Sequence, residues 1–511
     1  MRISSPSLIL LIFIATTMML RAQQVSIMQE EWEAKRAMGI EGEQAWDSVN
    51  RQRGSVEGFP NESLASLQSA ETCRVQGVVY GWHPYWQGTA YTDYDFSLLS
   101  DVCYFSYEVD PATGSYTSIH SWKTTGLVEK AKASGCRVHL CVTLFSGHAT
   151  FFSNTVSRAR LIDSLVALVK LRDADGVNID FEGVPSSEKE RFISFIGELG
   201  DRFHSDVPGS QVSIAIPAVD WSNVYDVAAM STSVDLFIIM GYDYHWRSST
   251  NAGPVSPKNS GSIWSPYDVT RSINRYLERG VKASKLCLGL PYYGYEWGTT
   301  DSSIGASTTG SGSAVTYAQA VAKASAYGRK WEAESSTPYI VYRSDTVWKE
   351  CWYDDDESLG AKYDLVRMKG LAGVGIWALG YDAGRGELWE ALRAHLSDCA
   401  AASCEGTFTD MGGPGGNYYA DDDFVWTIAP SGATRVTLSF YSFSIADDSL
   451  WIYDGDGVDA PLIGSWSEQN SPGNVTSSSG SITIRFKSNA TLASWGWIAN
   501  WNCDLQPGGI E

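Results

Sequence analysis

Positive charge is scarce in this chain. Lys and Arg number 38 against 59 Asp and Glu, a formal net charge of −21 over 511 residues. A chain of that sign repels phosphate backbones and anionic bilayers, so neither nucleic acid nor an anionic membrane surface is an expected partner. After residue 22 no apolar run approaches the roughly 20 residues that cross a bilayer, so no transmembrane segment is expected. Metal-ligand spacing is missing too. There is no CxxC pair and no CxxxH cluster, and His83, His148 and His245 stand apart from any spaced carboxylate. Structural zinc and Ser-His chemistry therefore have little footing, and no cofactor is expected. The composition of a disordered chain is absent as well: 44% of residues are hydrophobic and 19% charged, which describes a folded protein.

What is present begins with an export layout. Arg2, an apolar run from Leu8 to Leu20 and the small Ala22 read as a signal peptide over 1–22, which places the protein in the periplasm or outside the cell. Nine cysteines leave at least one unable to pair within the chain. Cys103, Cys141 and Cys287 lie in apolar runs and read as buried thiols. Cys404 and Cys503 bracket a compact C-terminal segment and suit a disulfide closing it in an oxidising compartment.

At this length one core is not enough, and a large domain with a smaller one is expected. Residues 23–73 read as a polar leader, helical or loosely ordered, without a core of its own. From about 74 to 397, eight short apolar runs follow one another, at 75–82, 101–107, 137–145, 175–183, 211–218, 234–244, 285–295 and 373–382. Amphipathic stretches at 157–173, 188–203 and 265–280 separate several of them. Runs apolar at consecutive positions, alternating with helices, imply a parallel sheet covered by helices, and eight units fit a (β/α)8 TIM barrel. An open doubly wound sheet is the runner-up, but no GxGxxG turn follows the first run. The gap at 297–357 is too long for a plain loop and predicts a small α+β insertion after the seventh strand. Between 404 and 503, short alternating runs separated by Gly, Asn and Asp turns predict an all-β sandwich.

The fourth run, DGVNIDFE, carries the chemistry. Asn178, Asp180 and Glu182 alternate with Val177, Ile179 and Phe181, so a period of two puts the three polar side chains on one face, the last pair about 7 Å apart. In a barrel that face is the interior, where buried carboxylates cost several kcal/mol each unless paired. Glu182 falls at the C-terminal mouth, where barrel active sites are built. The like charge of Asp180 should raise its pKa and keep it protonated, ready to donate to a leaving oxygen as in glycoside cleavage. Asp180 comes from the same strand and is badly placed as a nucleophile on the far side of a sugar. A substrate bringing its own nucleophile, such as a 2-acetamido group, resolves that difficulty.

Asp175 to Glu182 resembles, with one change, the DGxDxDxE motif of the glycoside hydrolase family 18 chitinases and endo-β-N-acetylglucosaminidases. Met240-Gly241-Tyr242-Asp243 resembles the family's sixth-strand MxYD, LGLPYYG at 288–294 its seventh-strand segment, and Trp377 its eighth-strand tryptophan. The resemblance implies Glu182 as general acid and then base, with Asp180 orienting the N-acetyl group and stabilising an oxazolinium intermediate. It further implies that Tyr242 donates to the acetamido carbonyl, that Asp243 and Met240 lie by the cleaved sugar, and that Trp377 forms its floor. Asn178 stands where a second aspartate is commonest, able to hydrogen-bond Asp180 but not to share its charge. Trp82 and Trp86 suit either a sugar cleft or packing. Residues 404–503, with Asp410, Asn417-Tyr418, SLWIYDG and GWIANWNC, resemble a CUB domain, a module of carbohydrate or protein contacts. Asp448 matches one of that domain's calcium ligands, but Ala446 and Asn489 stand where acidic ligands belong. The implied substrate is an N-acetylglucosamine-containing polysaccharide: chitin first, peptidoglycan glycan strands as rival, with a glycan-binding adhesin as the alternative from another class.

Overall fold

The eight apolar runs form eight parallel strands: β1 (Val78–Pro84), β2 (Asp101–Val109), β3 (Arg137–Leu144), β4 (Gly176–Phe181), β5 (Gln211–Pro217), β6 (Leu236–Met240), β7 (Leu286–Pro291) and β8 (Gly373–Trp377). Each pairs with its neighbours in chain order, and β8 closes onto β1 in the register Val78↔Gly373 to Gly81↔Ile376. The sheet is therefore the expected closed barrel. The computed structural model describes residues 25–40, 74–397 and, outside 411–416, 419, 421–422, 431 and 490–493, residues 404–505. The expected signal peptide lies outside the described residues. Among those described, no helix is long and apolar enough to cross a membrane.

Helices on the outside follow their sequence signals. In Thr155–Leu171, Asn154 caps the start by accepting from the Val156 and Ser157 amides, and Leu161, Ile162, Leu165, Val166, Leu168 and Val169 are buried against the sheet. Each such side chain contributes roughly 1.5–3 kcal/mol by leaving water. The stretch at 265–280 yields a shorter helix, Val269–Glu278, because Asp268 takes the cap and accepts from the Arg271 amide at 2.7 Å.

The insertion after β7 is an antiparallel five-stranded sheet with one helix, Tyr317–Tyr327. Its first strand is Tyr293–Thr299 and its last Val347–Trp352, so it opens at 293 rather than 297, straight after Pro291 ends β7. Residues 404–505 form two four-stranded antiparallel sheets. Cys404 and Cys503 are joined by a disulfide, with Cα atoms 4.8 Å apart. Cys103, Cys141 and Cys287 are free and buried.

The polar leader, described over 25–40, is not detached. Ser26 caps a helix, α1 (Ile27–Ala37), by accepting from the Gln29 amide, with Glu30 in its first turn and Lys35 and Arg36 in its last. Having no core of its own, it borrows the barrel's. Ile27 and Met28 are fully buried, and α1 lies across the C-terminal mouth.

Candidate active site

Asn178 and Asp180 point into the barrel from β4, and Glu182 follows one residue beyond its end. All three are buried, Glu182 retaining 8% exposure at the mouth. The Tyr225 hydroxyl donates to the Phe181 carbonyl at 2.6 Å and the Glu182 amide to the Leu144 carbonyl at 3.1 Å, which braces the strand end.

Asn178 does not do what was expected of it. Its carbonyl accepts from the Trp82 indole at 3.1 Å and its amide donates to the Ser213 hydroxyl at 2.9 Å. It is a neutral link deep in the barrel, and it makes no bond to Asp180. An amide meets one donor and one acceptor where an ionised carboxylate would only accept. Both oxygens of Asp180 are left without a hydrogen-bond partner, and burial pushes its carboxyl up to about 7.

Glu182 carries a proton affinity raised well above the usual carboxylate range. Burial is the larger cause and the Asp180 charge the second, which reverses the weight the sequence argument gave them. The Ser26 hydroxyl opposes the shift by donating to Glu182 Oε1 at 2.7 Å.

Tyr242 and Asp243 leave the end of β6 after Gly241. A Cβ at 241 would lie 2.7 Å from the Gly289 carbonyl oxygen, so this close approach of β6 to β7 needs glycine. The Tyr242 hydroxyl has no partner; burial first, and then the charges of Asp180 and Asp243, disfavour its ionisation. It stays a neutral donor. Asp243 sits at φ 60°, a left-handed conformation that Asp tolerates better than most residues. Its carboxylate accepts from the Tyr293 hydroxyl at 2.5 Å and the Ile27 amide at 2.9 Å, and burial lifts it to about 7.

Trp377, the last residue of β8, is held edge-on by Phe105, Trp86 and Trp82, with ring centroids 5.0, 6.3 and 6.5 Å away. Trp82 is thus a support below the site. Trp86 lies nearer the mouth, donating to the Tyr381 hydroxyl at 3.3 Å. His83 is buried against the Tyr94 hydroxyl at 2.8 Å, and burial drops its pKa to about 3. Beside Glu182 a groove of about 540 Å³ stays open, lined by Met240, Tyr242, Tyr244, Tyr267 and Trp221 among others. Trp221 is exposed and stands edge-on to Tyr267 at 5.1 Å.

Strand carboxylates at a barrel mouth, an unpaired tyrosine and a tryptophan at the end of β8 coincide with a family match. The model of the glycosyl hydrolases family 18 matches residues 76–382, and that of the CUB domain matches 399–501. The chain belongs to glycosyl hydrolase family 18. The class V chitinase of Arabidopsis thaliana is 30% identical over 348 residues, covering 59% of this chain and 87% of that protein. Several other curated relatives are matched over only about half their own length. The family 18 chitinase of Cycas revoluta, solved in complex with (GlcNAc)3, shares the fold at a TM-score of 0.56 and 19% identity, over 62% of this chain and 99% of that one. The Bacillus cereus spore cortex-lytic enzyme SleL does so at 0.54 and 19%, over 63% and 75%.

In the family 18 barrel, sequence reasoning gave no role to Tyr293, Tyr225 or Trp221, and allowed a helix in the leader without placing α1 in the mouth. The exposed Trp221, four residues beyond the end of β5, carried the one usable signal. In the CUB domain Asp448 is occupied by protein: it accepts from the Tyr418 hydroxyl and from both the backbone and side-chain amides of Asn489. Among the described residues no cluster of three or more His, Cys, Asp or Glu is arranged to hold a metal ion.

Proposed function

We propose that the protein hydrolyses β-1,4-linked N-acetylglucosamine polymers with retention of configuration, the substrate's own acetamido oxygen acting as nucleophile. The carrying observation is the pair of unpaired groups beside Glu182: a carboxylate with two free oxygens, Asp180, and a free phenol, Tyr242. Buried polar groups left unpaired cost about 1–3 kcal/mol each, and an acetamido group supplies what both lack. Its N–H donates to Asp180 and its carbonyl accepts from Tyr242.

Glu182, protonated at neutral pH, gives its proton to the glycosidic oxygen as the bond to C1 breaks. The acetamido oxygen closes on C1 to form an oxazolinium ion, whose positive charge Asp180 stabilises at short range in a dry site. Water then attacks C1, passing a proton to Glu182 and reopening the ring. Trp377 provides the apolar floor on which the sugar ring lies, and Asp243 binds beside it.

Chitin is the favoured polymer, in line with the chitinase relatives. Peptidoglycan glycan strands contain the same sugar, and the fold shared with a spore cortex-lytic enzyme keeps them as the second reading. The Arg2–Ala22 layout supports export with cleavage near Ala22. The test is to assay the parent and a Glu182→Gln variant on N-acetylglucosamine oligomers beside peptidoglycan. Soluble sugars from the parent, with binding but no release by the variant, support the hydrolase. Binding without release by both makes the protein a glycan-binding adhesin.

A further inference from the structure

The first described segment occupies the mouth on the Trp377 side, and its polar groups satisfy those of the site one by one. Ser26 donates to Glu182, and the Ile27 amide donates to Asp243. Glu31 accepts from the Trp377 indole at 3.2 Å and from the Tyr381 hydroxyl at 2.5 Å. Glu30 accepts from the Tyr295 hydroxyl at 3.2 Å. Trp32 donates to Glu108 at 2.6 Å and rests its ring 5.4 Å from Phe145. With α1 in place, Trp377 has no exposed surface.

A sugar lying on Trp377 and the Glu31 carboxylate cannot share that space. Ser26, bonded to Glu182 Oε1, and the Ile27 amide, bonded to Asp243, also stand where a sugar would have to approach those two carboxyls. We infer that residues 26–37 are an intramolecular inhibitor of the family 18 site, filling the Trp377 half of the cleft, and that turnover requires their withdrawal.

Energetics favour a reversible plug. An isolated 11-residue helix is marginal in water, so α1 depends on the cleft for its order. Carried on the same chain, it meets the cleft at an effective concentration that can reach millimolar. Against this stands the crowding of Glu30, Glu31, Asp243 and Glu182 in one buried mouth. Burial lifts Glu31 to about 7, with the charge of Asp243 adding to it. The barrel itself closes without α1, since none of its strand pairings involves residues 25–40.

The inference rests on the hydrolase reading for one of its two readouts only. In the full chain, the triple variant Ser26→Ala/Glu31→Ala/Trp32→Ala is compared with the parent for turnover of N-acetylglucosamine oligomers. The same substitutions in a Glu182→Gln background are compared for oligomer binding by tryptophan fluorescence. A plug docked nine-tenths of the time masks affinity about tenfold. The variant should therefore gain about tenfold or more in kcat/KM and in oligomer affinity, and a synthetic peptide of residues 25–40 should compete with the oligomer. Ile27→Asp, which puts a charge at a fully buried apolar position of α1, gives the same comparison should the triple variant not fold. Unchanged binding and turnover, or a peptide that does not compete, overturn the inference. If no protein hydrolyses any oligomer while the substitutions still tighten binding, the hydrolase reading fails and the inhibitor stands.

Discussion

Ser26 and Glu182, 156 residues apart in sequence, meet at 2.7 Å in the barrel mouth. The same serine oxygen caps α1 by accepting from the Gln29 amide at 3.1 Å. One hydroxyl thus ties the start of a helix to the proposed general acid.

Glu182→Gln keeps an oxygen for Ser26 and removes the transferable proton. Turnover of N-acetylglucosamine oligomers should fall by about 10²–10⁴-fold, the usual worth of general acid–base catalysis. Stability should change little. Initial rates and thermal denaturation of the two proteins check both parts.

Asp180→Asn should separate activity from stability. Burial raises the Asp180 carboxyl from 3.8 to about 7, so the folded state binds that proton more tightly than the unfolded chain does. Its contribution to stability is fully present below 3.8 and is lost as pH rises through about 7, at about 1.4 kcal/mol per pH unit in between. The asparagine variant should therefore match the parent near pH 4 and be more stable at pH 8, while losing turnover. Urea denaturation at the two pH values tests the sign. A variant less stable than the parent at pH 8 would contradict it.

Tyr242→Phe removes a hydroxyl that bonds to nothing in the protein. Since a buried hydroxyl without a partner costs about 1–3 kcal/mol, the variant should be at least as stable as the parent. If the phenol donates to the acetamido carbonyl as charge develops, kcat should drop by about 10²-fold, the low end for loss of one such donor. An unchanged kcat would remove Tyr242 from the reaction.

Reducing the Cys404–Cys503 bond opens a loop that spans 99 positions of sequence. The loss should be about 2–5 kcal/mol and should fall on the CUB sandwich, since among the described residues the barrel's Cys103, Cys136, Cys141 and Cys287 and the insertion's Cys351 are free. Calorimetry of the parent and a Cys404→Ser/Cys503→Ser variant should show one transition moving and the other unmoved.

A period of two in DGVNIDFE was enough to put Asn178, Asp180 and Glu182 on one face, because strand alternation is local and backbone-imposed. Consecutive apolar runs alternating with helices were enough for the barrel, because a parallel strand buried on both faces has no polar side to show. Boundaries were less legible. The insertion begins at Tyr293, inside a run that reads continuously as LGLPYYGY, since apolar patterning does not mark where a chain leaves one sheet for another.

Pairings between distant residues were decided by closure alone. Asn178 turned from an expected partner of Asp180 into a link between Trp82 and Ser213, because only the closed barrel brings β1 and β5 to either side of it. The raised proton affinity of Glu182 was foreseen, but its chief cause, burial, depends on everything packed above and around it. Least legible was α1. A short polar helix with a serine cap carries nothing in its own pattern that names Glu182 or Trp377, 346 residues from Glu31. Local periodicity sets which face of an element is apolar or polar. Which faces come together, and what is thereby denied to water, follows from the tertiary fold.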